Sequence, residues 1–422
     1  MPDRFSDDLS AKFMQIPEEV LTVIETLEKN GYEAYIVGGC VRDMLLDIKP
    51  KDFDICTSAR PEQVLGLFPK CIPTGIKHGT VTVIVNNIPI EVTTYRTESD
   101  YTDFRHPARV KFSDSLTEDL KRRDFTINAM AYHPSRGIVD PFGGINDLRD
   151  RIIRTVGNPL ERFAEDALRM LRAIRFQAVF GFSVDAETYA SIRALSKNIS
   201  AISRERILEE LNRILVSSYP EALKSLMETK LLNYVFPVPF SETADLKQIT
   251  QLPADIFARW AAFLRFTGIQ SDEDVRKTCS ELKMSNMLKN EIIKITKLLN
   301  SGLPKNPYLI RLAISDTGPE SFARALNIMK IIVPGNTNIT ETEKNFSQVM
   351  NDKKCTSISE LAVKGGDLIS AGFAKPGKEV GILLNTLFHC VLQNPELNRK
   401  DVLMLIAGVL RNKFQDNIQN RH

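Results

Sequence analysis

Apolar and polar positions change rhythm twice along this chain. In EEVLTVIETLEKNG the apolar residues recur at helical spacing and the run stops at Gly31. AYIVGG then reads as a short buried strand, and CVRDMLL as a helix that follows directly. Next come FDICT as a strand, PEQVLGLF as a helix, and two strand-like runs, TVTVIVN and IPIEVTTYR, divided at Asn86-Asn87 by a hairpin turn. The pattern predicts an α/β module on a mixed or antiparallel sheet. From about Leu148 the strand signals fade, and amphipathic runs such as RFAEDALRMLRAIRF, RERILEELNRILV and KNEIIKITKLLN take over. The remainder should be nearly all helical, divided by proline-containing breaks at VFPVPFSE, QLPADIF, SGLPKNPY and AKPGKEV, with no fixed repeat.

At 422 residues the chain is long enough for several domains, and 43% hydrophobic residues supply an ordinary globular core. The 55 Lys and Arg against 53 Asp and Glu leave a net charge of +2, so a nucleic-acid partner would have to meet a local basic face. Six cysteines lie scattered, without Cys-x-x-Cys spacing or histidine clusters, which argues against a disulfide framework and against zinc. MPDRFSDDLSAKF has no apolar core of a signal sequence, and no long uncharged apolar run follows, so a cytoplasmic protein without a membrane span is expected.

The chemistry begins at YIVGGCVRDMLLDIKPKDFDICTS. Gly38 and Gly39, between a strand and a helix, would let backbone N–H groups approach a phosphate, with Arg42 on the first helical turn within reach of it. A plain tight turn is the simpler use of two glycines. The pattern is neither a dinucleotide fingerprint nor a Walker loop. Asp52 and Asp54 flank Phe53, and strand alternation would put both carboxylates on one face. A divalent cation relieves their repulsion, and hard oxygen ligands of this kind suit Mg²⁺ alongside substrate phosphates. Two metals at such a site would serve nucleotidyl transfer; an isolated Asp-x-Asp can equally be a cap or a solvated pair. Glu91, in PIEVTTYR, would be a third carboxylate if its strand turns that face inward.

In LKRRDFTINAMAY, Arg123 could bind a triphosphate or sugar and Asp124 could accept from a ribose hydroxyl, or Asp124 could simply cap a helix. In ERFAEDALRMLRAIRF, read as one helix, Phe163, Ala167, Met170, Leu171 and Ile174 share an apolar face, with Asp166 and Arg169 together on the polar side. Spacing alone suggests a surface ion pair. Yet Asp accepts and Arg donates, which matches an amino group beside a ring-nitrogen acceptor, the edge that cytosine and adenine share. Uracil and guanine would set like against like. Arg172 and Arg175 continue along the helix, within reach of phosphates or an RNA end.

GGCVRD with DFDI, TGIKHGTVTV, RRDFTINAMAY, DPFGG, RIIRTVG and EDALRMLRAIRF together resemble the class II tRNA nucleotidyltransferases, densely over residues 34–176. The resemblance implies an α/β polymerase-β-like head followed by an all-α neck, body and tail in a seahorse shape, here 1–147, 148–220, 221–310 and 311–422. It implies template-independent addition of C, C and A to the 3′ end of tRNA from CTP and ATP, with Mg²⁺. Asp52 and Asp54 would hold the metal with Glu91 as a further catalytic carboxylate. Gly38, Gly39, Arg42, Arg123 and Asp124 would meet the nucleotide; Asp166 and Arg169 would select the base, with Arg172 and Arg175 beside them. Beyond residue 176, ISRERILEELNRIL resembles the neck, and KGGDLI, PGKEVGILLNTL and NRKDVLMLI the tRNA-gripping tail.

Several activities share such a head. CC-adding relatives lack a flexible loop that RTESDYTDFRHPARVKF, residues 96–112, looks complete enough to form. An A-adding partner enzyme would keep both loop and selectors. Poly(A) polymerases carry a different run where IPTGIKHGTVTV stands. A non-catalytic RNA-binding protein would be expected to lose a metal aspartate, and a small-molecule nucleotidyltransferase would have little use for the long helical remainder.

Overall fold

In the computed structural model, which describes residues 16–101, 107–352 and 355–419, the apolar stripe of the first run becomes helix α1 (Glu18–Lys29), burying Val20, Val23, Ile24 and Leu27. Strand β1 (Ala34–Val37) and helix α2 (Gly39–Leu45) follow, then β2 (Asp54–Thr57), α3 (Pro61–Leu67), β3 (Cys71–Gly75), β4 (Thr80–Val85) and β5 (Ile88–Thr94). The turn between β4 and β5 places Asn86 and Asn87 at φ of 50° and 66°, the left-handed pair a two-residue hairpin needs. With β8 (Ala131–His133) and β9 (Gly137–Val139) these strands form a mixed seven-stranded sheet in the order β3-β4-β5-β2-β1-β8-β9. Only β2 and β5 pair in parallel within it.

Ile36, Ile55, Val92 and Val81 are successive register partners across four strands and are fully buried, so the sheet has one continuous apolar row. Helices α1 and α3 pack against these strands. On the alternate positions, Tyr35, Val37, Cys56 and Ala131 cluster with Tyr95 and with Leu120 of α4 (Leu116–Lys121). The stretch 96–112, expected as a flexible loop, contains a paired hairpin instead: β6 (Arg96–Tyr101) runs antiparallel to β7 (Pro107–Phe112), with residues 102–106 outside the described set.

After α5 (Gly144–Asp150) the chain is helical apart from a two-stranded parallel pair, β10 (Ile152–Ile153) with β11 (Ser183–Val184), too short to register as a pattern. Helices α6 (Pro159–Glu165), α7 (Leu168–Phe180), α8 (Ala186–Leu195), α9 (Arg204–Leu215), α10 (Leu223–Glu228) and α11 (Leu232–Val235) continue the same compact unit, which runs to Thr250 and takes in Glu281–Met284.

Residues 251–280 and 285–422 make a second unit, of α12 (Ile256–Phe266), α13 (Asp272–Glu281), α14 (Asn286–Ser301), α15 (Pro307–Thr317), α16 (Pro319–Ile332), α17 (Thr337–Asn351), α18 (Gly365–Ser370), α19 (Lys378–Gln393) and α20 (Lys400–Gln419). The division falls inside the stretch 221–310 expected as one body. Trp260 and Phe263 anchor one part of its interior; Leu368, Leu387, Val391 and Leu403 anchor another. All six cysteines are free, and among the described residues no helix is long and apolar enough to cross a membrane.

Candidate active site

The Gly38-Gly39 turn is shaped by arginines. Gly38 sits at φ 83°, ψ −132°, a conformation in which a side chain is strained, and donates its N–H to Met130 O at 3.1 Å. A Cβ on Gly38 would lie 2.9 Å from Arg123 Nη1, and one on Gly39 3.4 Å from Arg42 Nη2. The glycines therefore admit two guanidinium groups to the turn, a use that the phosphate-approach reading missed. Arg42 donates to Asp43 Oδ1 through Nε and Nη2 and to Asn128 Oδ1 through Nη1 at 2.5 Å, and lies over the rings of Phe176 and Phe180.

Asp54 opens β2 and Asp52 precedes the strand, so alternation along a ladder places only Asp54. Across the parallel pair Asp54 is the register partner of Glu91, and Glu91 that of Thr82, which puts the two carboxylates on the same side of the sheet. Partial loss of water on the protein side raises the Asp54 pKa, and the Glu91 and Asp52 charges raise it further, against Arg123. Asp54 is exposed on its other side, which screens these effects. Among the described residues no three His, Cys, Asp or Glu side chains form a ready metal cage. An open group of hard carboxylates whose negative charges add at Asp54 nevertheless fits a divalent ion completed by substrate oxygens.

The RRD segment is held by a residue the sequence reading passed over. Asp119, fully buried in α4, accepts from Arg122 at 2.7 Å and from Arg123 at 3.2 Å, and these cations keep its pKa low despite burial. Its spacing in EDLKRRD, three and four residues before the arginines, was the available signal. Arg123 Nε is buried with no hydrogen-bond partner among the described residues. Asp124 is also buried, and its carboxylate is saturated: Oδ1 accepts from Phe125 N–H at 2.8 Å and Asn128 Nδ2 at 3.0 Å, while Oδ2 accepts from both Nε and Nη2 of Arg172. With about four lone-pair positions taken, it has none for a ribose hydroxyl, contrary to expectation. Arg172 and these hydrogen bonds hold its pKa well below the usual carboxylate range, against burial.

ERFAEDALRMLRAIRF is two helices. The first ends at Asp166, whose backbone is extended at φ −134°, ψ 104°, and α7 begins two residues on. The expected apolar face nevertheless holds, with Phe163, Ala167, Met170, Leu171 and Ile174 all buried. The break turns Asp166 Oδ1 into an acceptor for Leu168 N–H at 3.0 Å, and Oδ2 accepts from Arg206 at 3.2 Å. Arg169 is buried, not on a polar face, and donates to Glu165 at 2.5 Å, to Arg162 O and to Arg122 O. Asp166 and Arg169 thus come together at one helix junction while each is fixed by other partners. Glu165, four residues before Arg169, was visible as a pair in the sequence; Arg206, forty residues after Asp166, was not. Arg175 does not reach outward as expected: it is buried against Glu210 of α9 at 3.1 Å, with burial lowering its pKa to about 10.

A carboxylate pair beside a cation-lined glycine turn, on a small mixed sheet with a helical extension, defines a nucleotidyltransferase head. Residues 34–154 match the poly A polymerase head domain, 181–241 the "Probable RNA and SrmB- binding site of polymerase A", and 254–407 tRNA nucleotidyltransferase domain 2. The chain is 37% identical to the CCA-adding enzyme of Bacillus cereus (strain 03BB102) over 92% of its length and 98% of that protein's. It is 38% identical to that of Lactiplantibacillus plantarum, over 94% and 98%. The Bacillus stearothermophilus CCA-adding enzyme, solved in complex with CTP, superposes with a TM-score of 0.78 at 33% identity, covering 96% of this chain and 98% of that one. The chain belongs to the CCA-adding enzyme family.

Proposed function

We propose that this chain adds C, C and A to the 3′ end of tRNA from CTP and ATP, without a nucleic-acid template and with release of pyrophosphate. Similarity to CCA-adding enzymes along almost the whole chain, head and helical remainder together, carries this reading.

Asp52 and Asp54 would hold a divalent cation, Mg²⁺ by the hardness of their oxygens. When bound, it supplies charge neutralisation and activation of the tRNA 3′-hydroxyl for attack on the α-phosphorus. Glu91 adds negative charge that strengthens the site's demand for cations. Arg42 and Arg123, gathered by the glycine turn, receive the triphosphate and stabilise the charge that builds during transfer. Asp166 and Arg169 read the shared edge of C and A. Asp124, with no vacant acceptor, holds Asn128 and Arg172 in place, and Arg175 braces α7. Support for these roles comes from proximity, burial and charge. The tRNA is met by shape and backbone, in a head at 1–147, neck at 148–220, body at 221–310 and tail at 311–422, and the enzyme works in the cytoplasm.

Product sequencing tests the function, using Mg²⁺ with CTP and ATP, singly and mixed, on tRNAs ending before CCA, after one C and after two. Completion from all three starts is expected. Extension only of the tRNA ending in CC would make the protein an A-adding enzyme, and untemplated A tracts would make it a poly(A) polymerase.

A further inference from the structure

Base selection by Asp166 and Arg169 requires the acceptor and the donor to stand at a fixed spacing. Arg169 is set from its own neighbourhood, by Glu165 and the carbonyls of Arg162 and Arg122. Asp166 has lost that support, because the backbone leaves the helix at this residue. One carboxylate oxygen is committed to Leu168 N–H; the other is held by Arg206 Nη2, from the first turn of α9. Among the described residues, Arg206 thus supplies a side-chain hydrogen bond to Asp166 from outside its own segment. Its second terminal nitrogen, Nη1, is buried with no acceptor among the described residues. A buried donor left open calls for a partner, and in a nucleotide-binding enzyme the ligand is the natural one to provide it.

We infer that Arg206 is a positioning residue for base selection. Resting on the reading of Asp166 and Arg169 as the base reader, this inference assigns α9 the task of fixing the Asp166 carboxylate where an exocyclic amino group must arrive. Oδ1 alone, tied to a backbone N–H, leaves the carboxylate free to swing about that bond; the charge-assisted bond from Arg206 Nη2 to Oδ2 restrains that freedom. Without it, the acceptor no longer stands at a set distance from Arg169. A site in which the two halves drift stops penalising uracil, whose carbonyl then escapes the acceptor it should clash with.

The test is single-turnover incorporation of CTP, ATP and UTP on tRNA lacking CCA, for the full-length wild type, Arg206→Ala, Arg206→Met, Arg206→Lys, Asp166→Ala and the Arg206→Ala/Asp166→Ala double variant. Arg206→Ala and Arg206→Met are expected to lower the CTP-over-UTP ratio of kcat/KM by about tenfold or more. Arg206→Lys should recover part of that loss, and the double variant should select no worse than Asp166→Ala alone. Met keeps the aliphatic stem packed, so a readable variant remains if Ala fails to fold. Unchanged selection in Asp166→Ala would overturn the base reader itself. Relaxed selection in Asp166→Ala with unchanged selection in both Arg206→Ala and Arg206→Met would overturn only the role of Arg206. Loss of tRNA affinity at constant selection would overturn it too, and make Arg206 an RNA contact.

Discussion

Asp54 and Glu91 are register partners on the parallel strands β2 and β5, so two carboxylates leave the sheet side by side, with Arg123 as a cation that opposes their mutual repulsion at Asp54. If Asp54 is a metal ligand, its ionised form binds the cation, and the direction of its shift in the metal-free protein predicts an acidic limb of kcat/KM above that of a free aspartate. Glu91→Gln removes one charge that raises it and should move the limb of kcat/KM to lower pH while reducing the maximum. For the same reason ionised Asp54 is disfavoured in the folded state, so Asp54→Asn should abolish incorporation, leave tRNA binding, and raise Tm slightly at neutral pH. An unshifted limb in Glu91→Gln would show that the two carboxylates are not coupled.

The Asp124–Arg172 pair links the head to α7 through a carboxylate with no vacancy. Arg172→Ala leaves two acceptor positions on a buried Asp124 unanswered, and we expect a loss of about 1–3 kcal/mol in urea unfolding at neutral pH. Because the folded pKa of Asp124 is depressed, its contribution is present above the unfolded value and disappears as pH falls through the folded one. The difference between wild type and Arg172→Ala should therefore shrink on acidification below the ordinary aspartate pKa of about 3.9.

Local rules explain what the sequence made legible. Alternation and turn chemistry predicted β4, β5 and their Asn86-Asn87 hinge, and helical spacing predicted α1 and the apolar face from Phe163 to Ile174. The break at Asp166 was hidden because ERFAEDALRMLRAIRF holds no glycine or proline and keeps its apolar period through the kink. Strand β3, with exposed Ile72, Pro73 and Thr74, carries no buried face to announce it. Asp54, Glu91, Arg123, Asp166 and Arg169 stood out as candidates by residue type. Their holders were findable only when close in sequence, as Asp119 and Glu165 are; Asn128, Arg206 and Glu210 join the site through tertiary contacts that periodicity does not encode.

Gly38→Ala probes the packing of the glycine turn. The new methyl would meet Arg123 Nη1 at 2.9 Å, on a backbone at φ 83° that disfavours any side chain. A strain of about 1–3 kcal/mol is expected as a lower Tm. If the glycines serve to admit Arg123, the KM for CTP and ATP should rise more than the Kd for tRNA. Equal changes in both would assign Gly38 to folding alone.

Arg175 and Glu210 test whether a conspicuous arginine on α7, the helix that carries Arg169, serves RNA or the fold. Both side chains are buried, and burial raises the Glu210 pKa against the pull of Arg175. Arg175→Met removes the hydrogen-bonded counter-charge of Glu210 and leaves only the longer-range pull of Arg172 and Arg213, at up to about 3–5 kcal/mol by analogy with broken buried pairs. A stranded carboxylate escapes by taking a proton, so the deficit should narrow as pH falls and Glu210 becomes neutral. Adding Glu210→Gln to Arg175→Met should recover much of the stability. A phosphate contact behaves differently: its removal lowers the slope of log K against log salt for tRNA by about one and does so whatever the state of Glu210. We expect an unchanged slope in Arg175→Met and rescue by Glu210→Gln; a reduced slope without rescue would return Arg175 to the RNA surface.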